Sequence, residues 1–165
     1  MPDIAALRKR AQNAIDQRRD ALFELSRAIH ANPETAYEER QASTRLADFL
    51  DKSGFRVTRG YRGIETSYRG DASGRNGGPR VAILAEYDAL ADLGHGCGHN
   101  LIAMIGTAAA VGVREVIGDL EGSLAAIGAP AEEGGGGKVA LLRAGGFDDV
   151  DAAMMIHPTT GRSLA

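Results

Sequence analysis

The chain has 165 residues, of which 44% are hydrophobic and 25% charged, and its formal net charge is −3. This length allows one domain with a sizeable core, and the small negative charge argues against nucleic acid or an anionic membrane surface as partners. The single cysteine, Cys97, excludes an internal disulfide, which is compatible with the reducing cytoplasm, where we expect the protein. The longest weakly polar run, residues 101–113, is shorter than the ~20 apolar residues of a membrane span.

The first half of the chain is predicted to form two helices and a hairpin. Apolar residues at a spacing near 3.6 predict one helix over residues 3–30 and a second over about 37–52, with Gly54 as its C-cap. The alternating residues 55–61 predict a strand, and residues 64–70 form a suitable antiparallel partner.

The second half of the chain alternates apolar strands with helices. Three apolar runs predict strands that are buried on both faces, namely 81–85, 123–130 and 150–156. Between them, a helix is predicted from residue 101 to about 117, with Asn100 as its N-cap, and a short one over 138–144. This alternation indicates an α/β fold, with a layered, partly parallel sheet and helices on both faces.

Polar residues follow each of these three strands. They are Glu86 and Asp88 after the first strand, Glu132 and Glu133 after the second, and His157 after the third. Cys97 and His99 lie in the loop that precedes the longer helix. Because sites in such sheets form outside the carboxyl ends of parallel strands, we expect all these side chains at one edge of the sheet.

The loop GHGCGHN at 94–100 combines a thiol with imidazoles. Cys97 and His99 are two residues apart, so they share one side of an extended or looped segment, and a thiolate with an imidazole suits zinc or a similar ion. Two alternatives remain open for this loop. It could be a solvated turn, or Cys97 could be a nucleophile with His95 or His99 as its base.

The adjacent carboxylates of Glu132 and Glu133 have two interpretations. They could form a solvated acidic turn, or one could bind a cation while the other takes a proton from the attacking water. Asp88 could align an imidazole, or it could simply form a turn. His30 and His95 are expected to be structural. Taken together, the thiol, the imidazoles and the carboxylates supply ligands for one metal ion, and nearly enough for two.

Five segments identify a resemblance to a known family. They are HANPE (30–34), AEYDAL (85–90), GHGCGHN (94–100), GAPAEEGGGGK (128–138) and MMIHP (154–158). In this order and spacing they resemble the metallopeptidase family of aminoacylases and carboxypeptidase-G-type enzymes. The closest likeness is to the amidohydrolase branch, which contains p-aminobenzoyl-glutamate hydrolases and indole-acetyl-amino-acid hydrolases. Two departures are Ala91, where this branch usually has proline, and Gly96, where it usually has alanine.

The resemblance implies a two-metal hydrolase of amide bonds, whose small-molecule substrates are N-acyl amino acids or dipeptides. The metal ligands that it implies are Cys97, His99, Glu133 and His157. Glu132 resembles the general base of the family, and Asp88 resembles the carboxylate that orients the site. The two divalent ions would be zinc, which the thiolate favours, or manganese.

Members of this family continue well beyond the equivalent of residue 165. They add a lid and dimerisation domain and the rest of the catalytic domain, with a last metal-binding histidine. The resemblance therefore implies that residues 1–165 form an N-terminal part of an incomplete catalytic domain. We expect weak metal binding, little or no amidase activity, and association into homo-oligomers through an uncovered sheet edge. A non-catalytic fragment that binds metal or a partner is the remaining alternative.

Overall fold

A mixed five-stranded sheet with helices on both faces forms the centre of the molecule, in a computed structural model that describes residues 2–159. The helices are α1 (Ile4–Asp16), α2 (Arg19–His30), α3 (Arg40–Lys52), α4 (His99–Val116), α5 (Glu132–Gly135) and α6 (Gly137–Arg143). The strands are β1 (Arg56–Arg59), β2 (Tyr68–Ser73), β3 (Arg75–Ala85), β4 (Glu121–Gly128) and β5 (Ala152–Met154).

The strand order across the sheet is β1-β2-β4-β3-β5. Strands β4 and β5 flank β3 and run parallel to it, whereas β2 is antiparallel to β1 and to β4. Ala82 in the middle of β3 lies opposite Ala125 on one side and Ala153 on the other. The carboxyl ends of the three parallel strands therefore open at one edge, and the predicted α/β fold with a partly parallel sheet is confirmed.

Alternate residues of the central strands point to two separate cores. On one face, Ile83 and Ala126 pack in the larger core with residues of α2, α3 and α4, including the fully buried Leu46. On the other face, Ala82 and Ala125 pack in a smaller core with Leu141 of α6. This two-sided burial explains why β3 and β4 read as nearly continuous apolar runs.

The predicted helix over residues 3–30 is in fact two helices. The backbone N–H of Arg18 bonds to the oxygen of Ile15, three residues back, and this tighter turn ends α1 before α2 begins at Arg19. The apolar spacing also lapses between Ile15 and Leu22, where the intervening side chains are mostly charged or polar. The break allows both helices to pack against α4.

The predicted N-cap of the helix that follows the GHGCGHN loop is also wrong. The N-cap is Gly98, whose φ of 79° is a left-handed conformation that favours glycine. The helix therefore begins at His99, which places this histidine in a rigid first turn. Asn100 is buried inside the helix instead, and its amide donates to Ser26 Oγ of α2 at 3.0 Å.

The third predicted strand is shorter and more exposed than its apolar sequence suggested. Strand β5 covers only Ala152–Met154 and lies at the end of the sheet, next to β3. Met154 is 58% exposed and Ile156 is 63% exposed. Within residues 2–159 no strand pairs with the outer side of β5, and this is why its apolar residues remain in contact with solvent.

The helix that contains the apolar run 101–113 is longer than that run. Within His99–Asp119, an 18-residue window has a mean hydropathy of 1.6, and by length and composition alone this helical segment could cross a membrane. Core helices of soluble proteins have the same property, and α4 buries Ile102, Ala103 and Ala110 within the structure. Its apolar composition is thus explained by packing against the sheet and the first two helices.

Candidate metal centre

His99 lies in the middle of the candidate site, at the start of α4, and is only 1% exposed. Its Nδ1 atom lies 2.9 Å from the backbone oxygen of Asp88 and 3.0 Å from the Oδ1 atom of the same residue. Both neighbours are acceptors, so Nδ1 carries a proton, and in the neutral form of the ring Nε2 presents its lone pair. Nε2 is buried and has no hydrogen-bond partner among residues 2–159, which makes it a suitable metal donor.

Asp88 connects His99 to the loop that carries the two glutamates. Its Oδ1 atom faces the histidine, while Oδ2 accepts the backbone N–H of Glu133 at 2.9 Å. Burial acts to raise the pKa of Asp88, but the hydrogen bonds from His99 and the Glu133 N–H outweigh it and lower the pKa. Asp88 is therefore an ionised, buried carboxylate that orients two other residues of the site.

Glu132 and Glu133 begin α5, directly beyond the end of β4. Glu133 Oε1 lies 3.6 Å from Nε2 of His99, and its side chain is 22% exposed. Glu132 is more open, at 38%, and its Oε1 atom lies 3.9 Å from Nζ of Lys138. One carboxylate oxygen from each glutamate and one nitrogen of His99 all lie within 4.8 Å of one another. The two carboxylates therefore share a site but have different surroundings.

The glycines after Glu133 have a packing reason. Gly137 approaches the backbone oxygen of Pro130 so closely that a Cβ atom would lie 1.7 Å from it. Only glycine fits at this position, and the resulting tight loop brings α6 and its Lys138 back over the carboxyl end of the sheet.

Cys97 is half-buried and faces Glu133. A hydrogen bond to Glu133, together with burial and the nearby negative charges, raises the pKa of the Cys97 thiol to about 11. A nucleophilic cysteine needs the opposite environment, in which nearby positive charge lowers the thiol pKa. These surroundings do not favour the hypothesis of a thiol hydrolase, whereas a divalent ion would stabilise the thiolate.

His157 comes from the segment after β5 and approaches the site from its exposed side. The centroids of the His157 and His99 rings are 5.7 Å apart, and the rings are nearly perpendicular. One nitrogen from each ring and one carboxylate oxygen of Glu86 lie within 4.8 Å of one another. The structure therefore brings together all six predicted site residues at the carboxyl ends of the parallel strands, together with Glu86.

An open cleft of about 760 Å³ adjoins this cluster. Cys97 and His157 lie on the side of the cleft next to the cluster, and His30 and His95 line the cleft as well. The rings of His30 and His95 stack with their centroids 6.2 Å apart. Burial, and to a lesser degree the proximity of His30, lowers the pKa of His95 and favours its neutral form.

The described residues fit divalent cations. Two ligands of one ion, each about 2.0–2.2 Å from it, lie roughly 3.4–3.7 Å apart at tetrahedral or somewhat wider angles. The distances from His99 Nε2 to Glu86 Oε2 and to Glu133 Oε1, 3.7 Å and 3.6 Å, match this separation. Burial acts to lower the pKa of His99, but the carboxylates of Asp88, Glu86 and Glu133 raise it, as expected for a strongly negative site.

Sequence reasoning assigned no role to two residues of this cluster. Glu86 stood out only because it follows a strand, and Lys138 only as the last residue of a motif. Their ion pair joins residues 52 positions apart in the chain. No local pattern indicates such a pair, although a glutamate at the end of a buried strand is a signal that could have drawn attention to Glu86.

No family model matches the chain. It is 40% identical to the Xaa-Arg dipeptidase of Mus musculus and 38% identical to one of the subunits of the p-aminobenzoyl-glutamate hydrolase of Escherichia coli. These alignments include 95% and 88% of this chain, respectively. The chain is homologous to the N-terminal portion of these two enzymes. It spans only 39% and 34% of these two relatives.

Solved structures share the fold of this chain. A dinuclear metal-binding peptidase of the M20 family from Bacillus subtilis superposes with a TM-score of 0.76 at 23% identity, over 85% of this chain and 43% of that one. An aminobenzoyl-glutamate utilization protein from Klebsiella pneumoniae gives a TM-score of 0.75 at 22% identity, over 92% of this chain and 47% of that one. The family resemblance expected from the sequence motifs is thus confirmed.

Proposed function

We propose that the chain is the N-terminal part of the catalytic domain of a metal-dependent amidohydrolase, which cleaves the amide bond of dipeptides or N-acyl amino acids. The observation that carries this proposal is the convergence of one thiol, two imidazoles and several carboxylates around the unpaired Nε2 of His99. The names of the relatives, a dipeptidase and an aminobenzoyl-glutamate hydrolase, support the substrate class.

In this proposal four side chains hold two divalent ions. They are Cys97, His99, Glu133 and His157. When bound there, divalent ions would supply Lewis acidity, which would polarise the substrate carbonyl and make water a better nucleophile. The thiolate favours zinc, and the nitrogen and oxygen ligands leave manganese as the second candidate.

Glu132 is the residue that we propose as the general base. Its carboxylate is the more open of the adjacent pair, and it accepts the proton of the attacking water and returns it to the leaving nitrogen. Asp88 does not contact the substrate. It holds His99 in one tautomer and fixes the backbone of Glu133, so that both ligand atoms keep their positions.

Because the chain spans about 40% of its dipeptidase relative, we propose that by itself it binds metal weakly and turns over little substrate. We also propose that the protein is cytoplasmic. A lid that orients the substrate and excludes water would come from other residues.

Two experiments test the proposal. Calorimetric titration of the purified chain with zinc or manganese should detect binding that Cys97→Ala weakens at least tenfold. The matched control is His30→Gln, which alters a histidine outside the cluster and should leave the affinity unchanged. A wild-type chain that binds neither ion would refute the metal centre.

Turnover is tested in a chimera in which this chain replaces the matching N-terminal portion of the mouse dipeptidase. The chimera should hydrolyse a dipeptide with C-terminal arginine, lose activity with a chelator, and regain it with zinc or manganese. Hydrolysis that persists in the chelator would contradict a metal-dependent reaction.

A further inference from the structure

Glu86 directly follows β3 and is completely buried. Its two carboxylate oxygens have different surroundings. Oε1 forms an ion pair with Nζ of Lys138 on α6. Within the described residues, Oε2 has no hydrogen-bond partner. It lies 3.7 Å from Nε2 of His99, which has no such partner there either. A buried, unpaired carboxylate oxygen is costly and therefore indicates a partner that binds to it.

The distance between these two unpaired atoms is informative. At 3.7 Å, Glu86 Oε2 and His99 Nε2 are too far apart to form a hydrogen bond with each other. The same distance suits two ligands of one divalent ion. One ring nitrogen of His157 lies within 4.8 Å of a ligand atom of Glu86 and of a ligand atom of His99. Three side chains from three parts of the fold therefore surround one point.

We propose that Glu86 is a further metal ligand, which binds a divalent ion through Oε2 together with His99 and His157. This inference rests on the proposed metal centre and adds a ligand to it. Lys138 has a separate function as the charge partner of Oε1, and it stabilises the buried carboxylate when no metal is bound.

The charges around the centre agree with this assignment. The centre contains five side chains that can carry a negative charge. Four are the carboxylates of Glu86, Asp88, Glu132 and Glu133, and the fifth is Cys97 once its thiol has ionised. Lys138 compensates one of these charges through its pair with Glu86. The four negative charges that remain would balance two divalent cations, so the centre can contain Glu86 without excess negative charge.

A purely structural ion pair makes a different prediction. If Glu86 and Lys138 only held α6 against the sheet, Glu86→Gln and Lys138→Gln would break the same contact and neither would change the metal affinity directly. If Glu86 is a ligand, Glu86→Gln should weaken the binding of zinc and manganese at least tenfold. Lys138→Gln removes a competing positive charge and should leave the affinity unchanged or increase it.

The test is calorimetric titration of the two variants and the wild-type chain with zinc and with manganese, with the melting temperature of each metal-free protein as a check on folding. Asp149→Asn is the matched control, because it breaks another ion pair, with Arg69, outside the cluster. If Glu86→Gln does not fold, Glu86→Asp keeps the charge, withdraws the oxygen by one methylene, and should also bind metal more weakly.

The outcomes separate this inference from the proposed function. Weaker metal binding by the Glu86 variant but not by the Lys138 variant supports the inference. Wild-type affinity in a folded Glu86 variant, or equal losses in both variants, overturns it and leaves the metal centre standing. A wild-type chain that binds neither zinc nor manganese overturns the inference and the proposed function together.

Discussion

The carboxylate of Glu39 accepts a hydrogen bond from the backbone N–H of Ala131 at 2.8 Å, across 92 residues of sequence. The same oxygen accepts the N–H of Tyr37 at 2.9 Å, and Glu39 is completely buried. Ala131 has a φ of 56°, a left-handed conformation that non-glycine residues rarely adopt. This contact therefore holds the unusual turn that places Glu132 and Glu133 next to His99 in the candidate metal centre.

The first prediction concerns the stability of this turn. Glu39→Ala should lower the free energy of unfolding by about 2–3 kcal/mol, because it leaves two backbone N–H groups without an acceptor. Glu39→Gln should cost less than about 1 kcal/mol, since the amide oxygen still accepts. Burial raises the pKa of Glu39, so removal of its charge carries little penalty. Urea denaturation measures the free energy of unfolding of both variants. An equal loss of stability in Glu39→Ala and Glu39→Gln would contradict the role of the side-chain oxygen as an acceptor.

The second prediction concerns the reactivity of Cys97 in the metal-free chain. Only the thiolate reacts with iodoacetamide, and the Cys97 pKa is raised to about 11, so the alkylation rate should rise with pH to a midpoint near 11. Glu133→Gln removes the main cause and should move the midpoint down towards the usual value near 9. Zinc at a saturating concentration should protect the wild-type thiol at those pH values at which the metal stays bound.

The control for this measurement is Glu65→Gln, which alters an exposed carboxylate paired with Arg40 away from the site. It should leave the alkylation midpoint unchanged. A wild-type midpoint below about 8 would instead indicate an activated thiol, and would revive the hypothesis that Cys97 is a nucleophile.

The parallel core of the sheet could be predicted from sequence because its residues carry a local signal. Residues 81–85 and 124–130 are apolar without interruption, and strands buried on both faces require this composition. The convergence of Asp88 and His157 then followed from topology, since the ends of parallel strands meet at one edge. Motifs and topology together were sufficient to locate the cluster.

The remaining features depend on long-range contacts that no local pattern encodes. The apolar composition of 150–156 did not reveal that β5 lies at the end of the sheet, because position in a sheet depends on which strands pair. The pair of Glu86 with Lys138 and the contact of Glu39 with Ala131 each join distant segments. Gly98 was overlooked because Asn100 has the stronger intrinsic preference for an N-cap.

The third prediction concerns the pH dependence of stability. Arg69 donates to both oxygens of Asp149 at 2.8 Å, and this contact lowers the pKa of Asp149 to about 2. Because the folded-state pKa lies below the usual value of 3.8, the pair stabilises the fold at neutral pH and loses this effect as pH falls from about 4 to about 2. Asp149 is partly exposed, so we expect Asp149→Asn to cost only about 1 kcal/mol at pH 7.

Urea denaturation at pH 7 and at pH 2.5 checks this expectation. The difference in the free energy of unfolding between Asp149→Asn and the wild-type chain should be smaller at pH 2.5 than at pH 7. Asp148→Asn alters the neighbouring carboxylate, for which no ion pair is found within residues 2–159, and should have little effect at either pH. If Asp149→Asn lowered the free energy of unfolding by the same amount at both pH values, the ionic origin of this stabilisation would be contradicted.

The fourth prediction concerns self-association through β5. The outer side of this strand is unpaired within residues 2–159, and Met154, its last residue, is 58% exposed. Exposed apolar edge strands pair with other chains, and a lysine at the edge opposes this. Met154→Lys should therefore reduce the association constant, measured by sedimentation velocity, at least tenfold. Leu142→Lys changes an equally exposed apolar residue on α6, and an equal effect of both variants would exclude the strand edge as the contact.

The last prediction separates the functions of the adjacent glutamates, and it uses the chimera with the mouse dipeptidase. Glu132→Gln should abolish turnover but retain bound metal, because a general base is not a ligand. Glu133→Gln should lower the metal content, because Glu133 lies 3.6 Å from the donor nitrogen of His99 and is the more buried of the pair. Metal analysis and turnover assays on the same samples distinguish loss of the base from loss of the ion. If Glu132→Gln kept turnover within about tenfold of the unmodified chimera, it would have lost only ~1.4 kcal/mol of transition-state stabilisation, which is too little for a general base.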